Sequence, residues 1–247
     1  MSKEDSKFTV IIKTFNSENT LINTLESVCS FGEIIALDGH STDDTIDILN
    51  EYKVKTVFFD KFDYENAFNQ AVKEAKGDWI LVLEDNETVS ENLLQELDNY
   101  SKNPKKKRFS IAFDIKTFYL NKEIKSAKEK NIVRFFKKEY CSYKKNSIKI
   151  ISGKTCKIKN GYILKYISAD ISRCLTGAID KNREILKHSD KIISSPIIRP
   201  ILEFIKYYIF KFGFLDGYRG FIFAKEKYIE RFILEVMFLE KNFKENK

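Results

Sequence analysis

The stretch that most constrains this chain is Gly77–Glu87, GDWILVLEDNE. A Gly-Asp turn leads into five apolar residues, Trp79–Leu83, and then directly into Glu84, Asp85, Asn86 and Glu87. A continuous apolar run of that length, bounded by turn signals, fits a strand buried on both faces of a parallel sheet. Ligands of open α/β sheets bind outside the carboxyl ends of the strands, which is where the acidic residues fall. Three carboxylates and an amide in four residues need a cation or hydrogen-bond donors to offset them. The same residues also read as a solvated strand-to-helix turn, with Asp or Asn capping a helix that starts near Thr88 or Ser90.

Around this strand the first hundred residues alternate β-forming runs with helical patterns. Phe8–Lys13 is a strand that breaks at the polar run Thr14–Asn19. A helix is expected over Thr20–Ser30, with Ile22, Leu25, Val28 and Cys29 on one stripe. Glu33–Leu37 is the second strand, Asp38–Asp44 a polar turn and Thr45–Tyr52 a helix. Asp38, at a strand's carboxyl end, can accept hydrogen bonds from a base or sugar. Ser41 or Thr42 can equally be an N-cap, with Asp43 and Asp44 complementing the helix dipole. Val54–Phe59 is the third strand; Tyr64–Lys76 is a helix carrying Ala67, Phe68, Ala71, Val72 and Ala75 on one face. Another helix, from about Ser90 to Tyr100, follows the acidic stretch.

Beyond Pro104–Arg108 the pattern changes. Phe109–Ile115, Thr117–Leu120, Ile132–Phe136, Ile148–Ile151 and Gly161–Ile167 read as antiparallel or mixed strands with basic loops, completing the sheet on its acceptor side. From Ala169 the pattern is helical, interrupted at Ser194-Ser195-Pro196. Pro200–Phe212 is amphipathic, with Arg199, Glu203 and Lys206 as its polar stripe. A Gly-rich corner, Gly213–Gly220, leads to a last helix ending near Phe243. The expected division is a catalytic α/β domain over 1–168 and a helical region over 169–247 that contacts acceptor, membrane or a second copy in a homo-oligomer.

Charge is unevenly spread. Residues 1–101 carry 8 Lys+Arg against 21 Asp+Glu, and residues 102–165 carry 20 against 4. A basic middle beside an acidic start points to an anionic partner, or to a merely solvated lysine-rich surface. Its basic residues match no RNA- or DNA-binding module, so nucleic acid is not expected. Four cysteines without CxxC spacing, with only His40 and His188 beside them, exclude a zinc cluster and read as reduced thiols. The start, MSKEDSKFTV, has no apolar core, so no secretory signal is expected, and no apolar run reaches the ~18 residues of a membrane span. Aromatic helices edged by Lys and Arg can lie in a membrane interface or pack on protein.

Four segments together resemble the family 2 glycosyltransferases: FTVIIKTFNSENTLINTLESV, EIIALDGHSTDDT, NQAVKEAKGD and WILVLEDNE, the last in the place of the acidic DxD motif. The resemblance implies an α/β fold of the GT-A, Rossmann-like kind: a mixed, mostly parallel sheet flanked by helices, here with a C-terminal helical extension. Arg199–Ala224, RPILEFIKYYIFKFGFLDGYRGFIFA, is similar to the C-terminal signature of bacterial enzymes that extend the lipopolysaccharide or lipooligosaccharide inner core, the β-1,4-glucosyltransferases acting on heptose in particular. NIVRFF, residues 131–136, loosely matches that subgroup's R-L-F segment.

Carried over by position, the resemblance implies that Thr14, Phe15, Asn16 and Glu18 border the nucleotide, with Phe15 against the base. Asp38 accepts from the base ring N–H, and Asn69 lies near the nucleotide. Asp85 faces ribose or diphosphate, with Glu84 beside it. Asp85 and Asn86 hold Mg²⁺ or Mn²⁺. Asn86 stands where the family has a metal-binding Asp; its carbonyl oxygen can still ligate a hard cation but brings no charge, and Glu84 or Glu87 could compensate. The subgroup's middle acidic segment, source of the catalytic base, is replaced by Asn146–Ser152, NSIKIIS; Glu129, Glu139 and Asp170 are the nearby carboxylates, and the base stays unassigned. The implied activity is inverting transfer of a hexose, glucose foremost, from a UDP-sugar to an anionic glycolipid or saccharide. It would take place in the cytoplasm, peripherally on the inner-membrane face. A degenerate homologue that binds without catalysis is the alternative.

Overall fold

A computed structural model describes residues 8–60, 63–105, 107–144, 147–167 and 196–245, with isolated positions between 175 and 186. Two compact units result: Met1–Ile115 with Glu129–Lys165, and Lys116–Lys128 with Tyr166–Lys247. The span 116–128, placed by sequence in the first domain, thus groups with the C-terminal region.

In the first unit β1 (Phe8–Thr14), β2 (Glu33–Asp38), β3 (Lys55–Phe58) and β4 (Trp79–Glu84) are parallel neighbours in the order β3-β2-β1-β4. Helices α1 (Leu21–Val28), α2 (Thr45–Glu51) and α3 (Tyr64–Glu74) connect them, and α4 (Glu91–Lys102) follows β4 and a short strand, β5 (Glu87–Val89). Beyond β4 the sheet continues through β7 (Lys122–Lys137), β6 (Arg108–Tyr119) and β10 (Lys154–Tyr166), and ends on β5. β7 is antiparallel to β4, and β5 is antiparallel to β10. A separate hairpin, β8 (Cys141–Lys144) with β9 (Ser147–Ile150), completes the strands. The mostly parallel, helix-flanked sheet is the architecture expected from the alternating pattern.

The apolar runs are continuous because β1 and β4 are covered on both faces. Successive side chains on a strand point to opposite sides. Phe8, Val10 and Ile12 accordingly join Trp79, Leu81 and Leu83 in one core, while Ile11 joins Ile80 and Val82 in the other. Leu21, Leu25 and Val28 of α1 and Leu93, Leu94 and Leu97 of α4 close the first core; Ala67, Phe68 and Ala71 of α3 close the second. Trp79 stacks on Phe135 of β7, with ring centroids 5.1 Å apart. Ile22, expected on the buried stripe of α1, is exposed; Leu21 takes its place, one position round the helix.

Two local expectations are corrected. The residues after the acidic stretch form a strand before they form a helix, since Glu87 pairs with Lys165 and Val89 with Ile163. Ser90 makes no side-chain cap: its N–H donates to Tyr162 O at 3.1 Å and its Oγ accepts the Tyr162 N–H at 3.1 Å, extending the ladder. Further on, Phe109–Ile115 and Thr117–Leu120 merge into β6, and Ile132–Phe136 lies within the 16-residue β7.

In the second unit α5 (Ile198–Ile205) passes through a wider π-helical turn, Lys206–Phe210, into a tight corner, and α6 (Tyr218–Glu245) follows. Ile124, Ala127 and Phe223 form its small core. Glu235, buried, is held by Arg231 at 2.6 Å and Arg199 at 3.4 Å. The helical stretch expected from Ala169 to the Ser194-Ser195-Pro196 break lies almost wholly outside the described residues. Among the described residues no helix is long and apolar enough to cross a membrane.

Candidate functional site

The chain runs from β1 outward to β2 and β3, then returns to place β4 on the other side of β1. That reversal opens a crevice at the carboxyl ends of β1 and β4, the usual ligand position in such sheets. Three polar loops meet there, and they are hydrogen-bonded into one another.

Thr14, the last residue of β1, donates its hydroxyl to Asp38 Oδ2 at 2.9 Å. Ser41 adds its N–H to Oδ1 at 2.8 Å and its hydroxyl to Oδ2 at 2.6 Å, so the buried Asp38 carboxylate closes the β2 loop onto β1. Asn16, in the left-handed region (φ 49°), donates its N–H to Ser41 Oγ at 2.9 Å, and its Oδ1 accepts the Thr42 N–H at 2.9 Å. Ser17 reaches both ways: its N–H donates to Thr45 Oγ1 at 2.6 Å, and its hydroxyl to Asp85 Oδ2 at 2.5 Å. Thr24 of α1 donates to the Asp85 carbonyl at 2.8 Å. Asp38 and Asp85 therefore flank the end of β1, linked through the 14–17 loop.

The remaining loop contacts correct the expected helix cap. Ser41 and Thr42 bond back to Asp38 and Asn16, and Asp43 serves the start of α2, accepting the Thr45 N–H at 3.1 Å and its hydroxyl at 2.5 Å. Burial opposes the charge of Asp43, but the bonds from Thr45 and the Glu18 N–H outweigh it and hold the carboxyl below its ordinary range. Glu18 itself accepts the Asp44 N–H at 3.3 Å. Phe15 lies half-buried against Gly39, where a Cβ would stand 3.4 Å from its ring. Asn69 sits on the α3 side, its Nδ2 donating to Tyr143 O at 3.0 Å and its Oδ1 accepting the Tyr143 N–H at 3.1 Å; both polar atoms pin β8 to the helix.

The acidic stretch itself divides. Glu84, expected at the nucleotide, is ion-paired with Lys165 of β10 and with Arg134 of β7 at 3.5 Å. Glu87 is wholly buried; its Oε2 accepts the Glu84 N–H at 2.9 Å and its Oε1 lies 3.6 Å from Arg134 and 3.8 Å from Lys165. Lys165 foremost, against burial and with help from Arg134, holds the Glu84 carboxyl well below the carboxylate range. Burial pushes Glu87 up, with Arg134 opposing. Burial also works against the charges of Arg134 and Lys165, and the two glutamates overcome it. Both glutamates are engaged by Arg134 and Lys165, so neither is turned to Asn86 to make good the charge it lacks.

For a divalent cation the donor set is sparse. Asp85 supplies a carboxylate and Asn86 an amide carbonyl, both hard oxygens, and among the described residues no three His, Cys, Asp or Glu side chains converge as a metal group. Two protein oxygens fit a Mg²⁺-type ion that takes its other ligands from phosphates and water. Of the carboxylates considered for the base, Glu139 pairs with Lys137 at 3.5 Å, beside the start of β4 and away from the crevice. Glu129 lies beyond the β4 end of β7, within electrostatic reach of Arg134. Asp114 of β6 accepts the Asn131 N–H at 3.2 Å on the same side. Asp170 lies outside the described residues.

The model for glycosyl transferase family 2 matches residues 9–156, more than half of the chain and all three loops of the crevice. The chain belongs to glycosyl transferase family 2. It is 31% identical over 117 aligned positions to a poly(ribitol-phosphate) beta-glucosyltransferase of Bacillus spizizenii, covering 39% of this chain and 17% of that protein. It is 34% identical over 86 positions to a dolichyl N-acetyl-alpha-D-glucosaminyl phosphate 3-beta-D-2,3-diacetamido-2,3-dideoxy-beta-D-glucuronosyltransferase of Methanococcus voltae, covering 30% of this chain and 27% of that one. The chain thus spans under a third of the length of these two relatives. In fold, this family 2 member is similar to S. aureus TarS 1-349 in complex with UDP-GlcNAc, with a TM-score of 0.50, 14% identity and coverage of 95% and 92% of the two chains.

Proposed function

We propose that this glycosyl transferase family 2 member moves a hexose, glucose foremost, from a UDP-sugar to an anionic glycolipid or saccharide acceptor, with inversion at the anomeric carbon. The observation that carries the reading is the single crevice in which the 14–17 loop joins Asp38 to Asp85. Phe15 gives that crevice an aromatic wall for a base, and the buried Asp38, accepting from Thr14 and Ser41, holds in place the loop that faces it. Asp85 and Asn86 offer two oxygens to Mg²⁺ or Mn²⁺, which when bound neutralises charge on the departing diphosphate. Glu129 or Asp114 takes the proton of the attacking acceptor hydroxyl as its oxygen bonds to the anomeric carbon and UDP leaves with the broken bond's electrons. The basic span 102–165 favours a phosphorylated acceptor, as do the phosphate-bearing names of both relatives. The stretch Arg199–Ala224 supports the lipopolysaccharide or lipooligosaccharide core as that acceptor, at the cytoplasmic face of the membrane.

Transfer or hydrolysis of UDP-glucose, UDP-galactose and UDP-GlcNAc, with and without Mn²⁺, tests the proposal alongside a UDP titration. Turnover with one donor, lowered about 100-fold or more in Asp85→Ala, is expected. No UDP binding and no turnover with any donor refutes it. A second reading rests on the neutral Asn86 and on the engagement of both glutamates by Arg134 and Lys165: a member that binds nucleotide-sugar without transferring it. UDP binding without turnover on any acceptor is its signature.

A further inference from the structure

The corner Phe212–Gly220 is a motif that the donor site does not use. Its compactness is imposed by backbone contacts. A Cβ on Gly220 would stand 1.9 Å from Gly213 O, and one on Gly213 would stand 2.7 Å from Tyr207 O. Phe212 (φ 59°) and Gly217 (φ 62°) both turn through the left-handed region. The corner presents Asp216, whose Oδ2 accepts the Ser126 N–H at 2.9 Å, and Arg219 beside it.

Between this corner and the 122–126 segment of the same unit lies a cavity of about 520 Å³. Lys122, Lys125, Lys211 and Arg219 line it against two acids. Of these, Glu123 is ion-paired with Lys116 at 3.5 Å and Asp216 holds the Ser126 N–H. Ser126 is 4% exposed, yet its Oγ has no hydrogen-bond partner among the described residues, and neither has the buried Arg219 Nε. A hydroxyl and a guanidinium N–H left unsatisfied beside three lysines are costly unless an oxyanion completes them. The rim is apolar and open: Phe212 is 60% and Leu215 73% exposed, with Phe210 next to them at 75%. A soluble anion has no use for such a rim. Phosphate at headgroup level with apolar side chains below it is the arrangement of a membrane interface.

We propose that this cavity receives the phosphate of an anionic lipid headgroup at a bilayer surface, with Phe210, Phe212 and Leu215 entering the acyl boundary. Ser126 and Arg219 supply donors to the phosphate oxygens, and Lys122, Lys125 and Lys211 the surrounding charge. The inference deepens the membrane-face location proposed above and rests on that location, not on the donor crevice.

Co-sedimentation of the full chain with phosphatidylcholine vesicles, with and without phosphatidylglycerol, tests it. Binding is expected on the phosphatidylglycerol vesicles and not on phosphatidylcholine alone. The double variant Lys122→Gln/Lys125→Gln should bind about fivefold more weakly for each lysine removed. Ser126→Ala should weaken binding several-fold while its melting temperature holds or rises, because it removes an unpaired hydroxyl. Leu215→Ser should lose binding with its fold intact. Wild-type binding by Ser126→Ala and the lysine pair overturns the proposal, as does equal binding to both vesicle types. Equally tight binding of free glycerol phosphate overturns the lipid as its source. A UDP titration on the same variants separates the two claims: intact UDP binding with lost vesicle binding is the expected pattern, and vesicle binding without UDP binding in the wild type fails the transferase reading alone.

Discussion

Glu84, Asp85 and Glu87 are three residues of one acidic stretch with three different fates. Asp85 is held by the hydroxyls of Ser17 and Thr20 and turned to the crevice loops, while Glu84 and Glu87 share Arg134 and Lys165. Removing one member of a buried charge cluster leaves the others uncompensated, which usually costs about 3–5 kcal/mol. Arg134→Met should therefore lower unfolding free energy by about that amount, measured by urea denaturation. The double variant with Glu87→Gln should cost less than the sum of the two single changes. The pH response has two signs. The Glu84 carboxyl is held below its ordinary value of 4.5, so its stabilisation is complete above that pH and is lost as pH falls through the folded value. Glu87 is raised, so the folded state keeps its proton longer and its contribution is lost as pH rises from 4.5 through the raised value. Glu84→Gln should flatten the fall in stability below pH 4.5, and Glu87→Gln should remove the loss that sets in above it.

The cysteines offer a second contrast between residues of equal burial. Cys141 and Cys156 are 6% and 7% exposed. Burial pushes the Cys141 thiol up to about 12. Burial opposes ionisation of Cys156 too, but a hydrogen bond shared with the Tyr100 hydroxyl at 3.3 Å and one donated by Arg108 at 3.2 Å hold it below the usual thiol value. The thiolate is the reactive form. Iodoacetamide labelling at neutral pH, followed by mass spectrometry, should modify Cys156 before Cys141, and Arg108→Ala should slow the Cys156 reaction. Equal rates would show that access and not charge sets the order.

Among the elements, the turn into β4 depends on Gly77. A Cβ there would stand 2.6 Å from backbone atoms of Phe8 and Thr9, and the Gly77 N–H donates to Thr9 Oγ1 at 3.0 Å. Backbone cannot swing aside as a flexible side chain would. Gly77→Ala should cost about 1–3 kcal/mol or more, read as a lowered urea midpoint at unchanged m-value. This explains why Gly-Asp opens the strand, and β1 to β4 were readable for a related reason. Strands covered on both faces must be apolar without interruption, so sequence shows them directly. β5 was not readable, because Glu87, Thr88 and Val89 form a strand only by pairing with β10, over seventy residues on. Of β7 only Ile132–Phe136 was readable, since Glu129, Lys130 and Asn131 interrupt its pattern where the strand is exposed. At the site, Asp38 and Asp85 stood at strand ends where position alone marks them. Ser17 carried no mark beyond a hydroxyl in a polar loop, and Arg134 and Lys165 meet Glu84 across 50 and 81 residues of chain. Contacts that distant leave no local pattern.

For the molecule as a whole, two compact units, one carrying the hydrogen-bonded loops at the strand ends and the other the cationic cavity, imply two separable ligand footprints. The crevice lies wholly in the first unit, in loops 14–20, 38–45 and 84–90. The cationic cavity lies wholly in the second, in segments 122–126 and 211–219. A ligand that binds only the folded state slows exchange of those amides whose opening releases it. UDP at about 100 times its Kd contributes about 2.7 kcal/mol, or roughly a hundredfold slower exchange through such openings. Hydrogen exchange read by mass spectrometry should show that slowing in the three crevice loops when UDP is added, with residues 197–222 unchanged. Phosphatidylglycerol vesicles should protect 197–222 and 122–126 and leave the crevice loops at their free rate. Protection of 197–222 by UDP alone would mean that nucleotide and lipid share a site or a coupled state, and the separate assignment of the two cavities would fall.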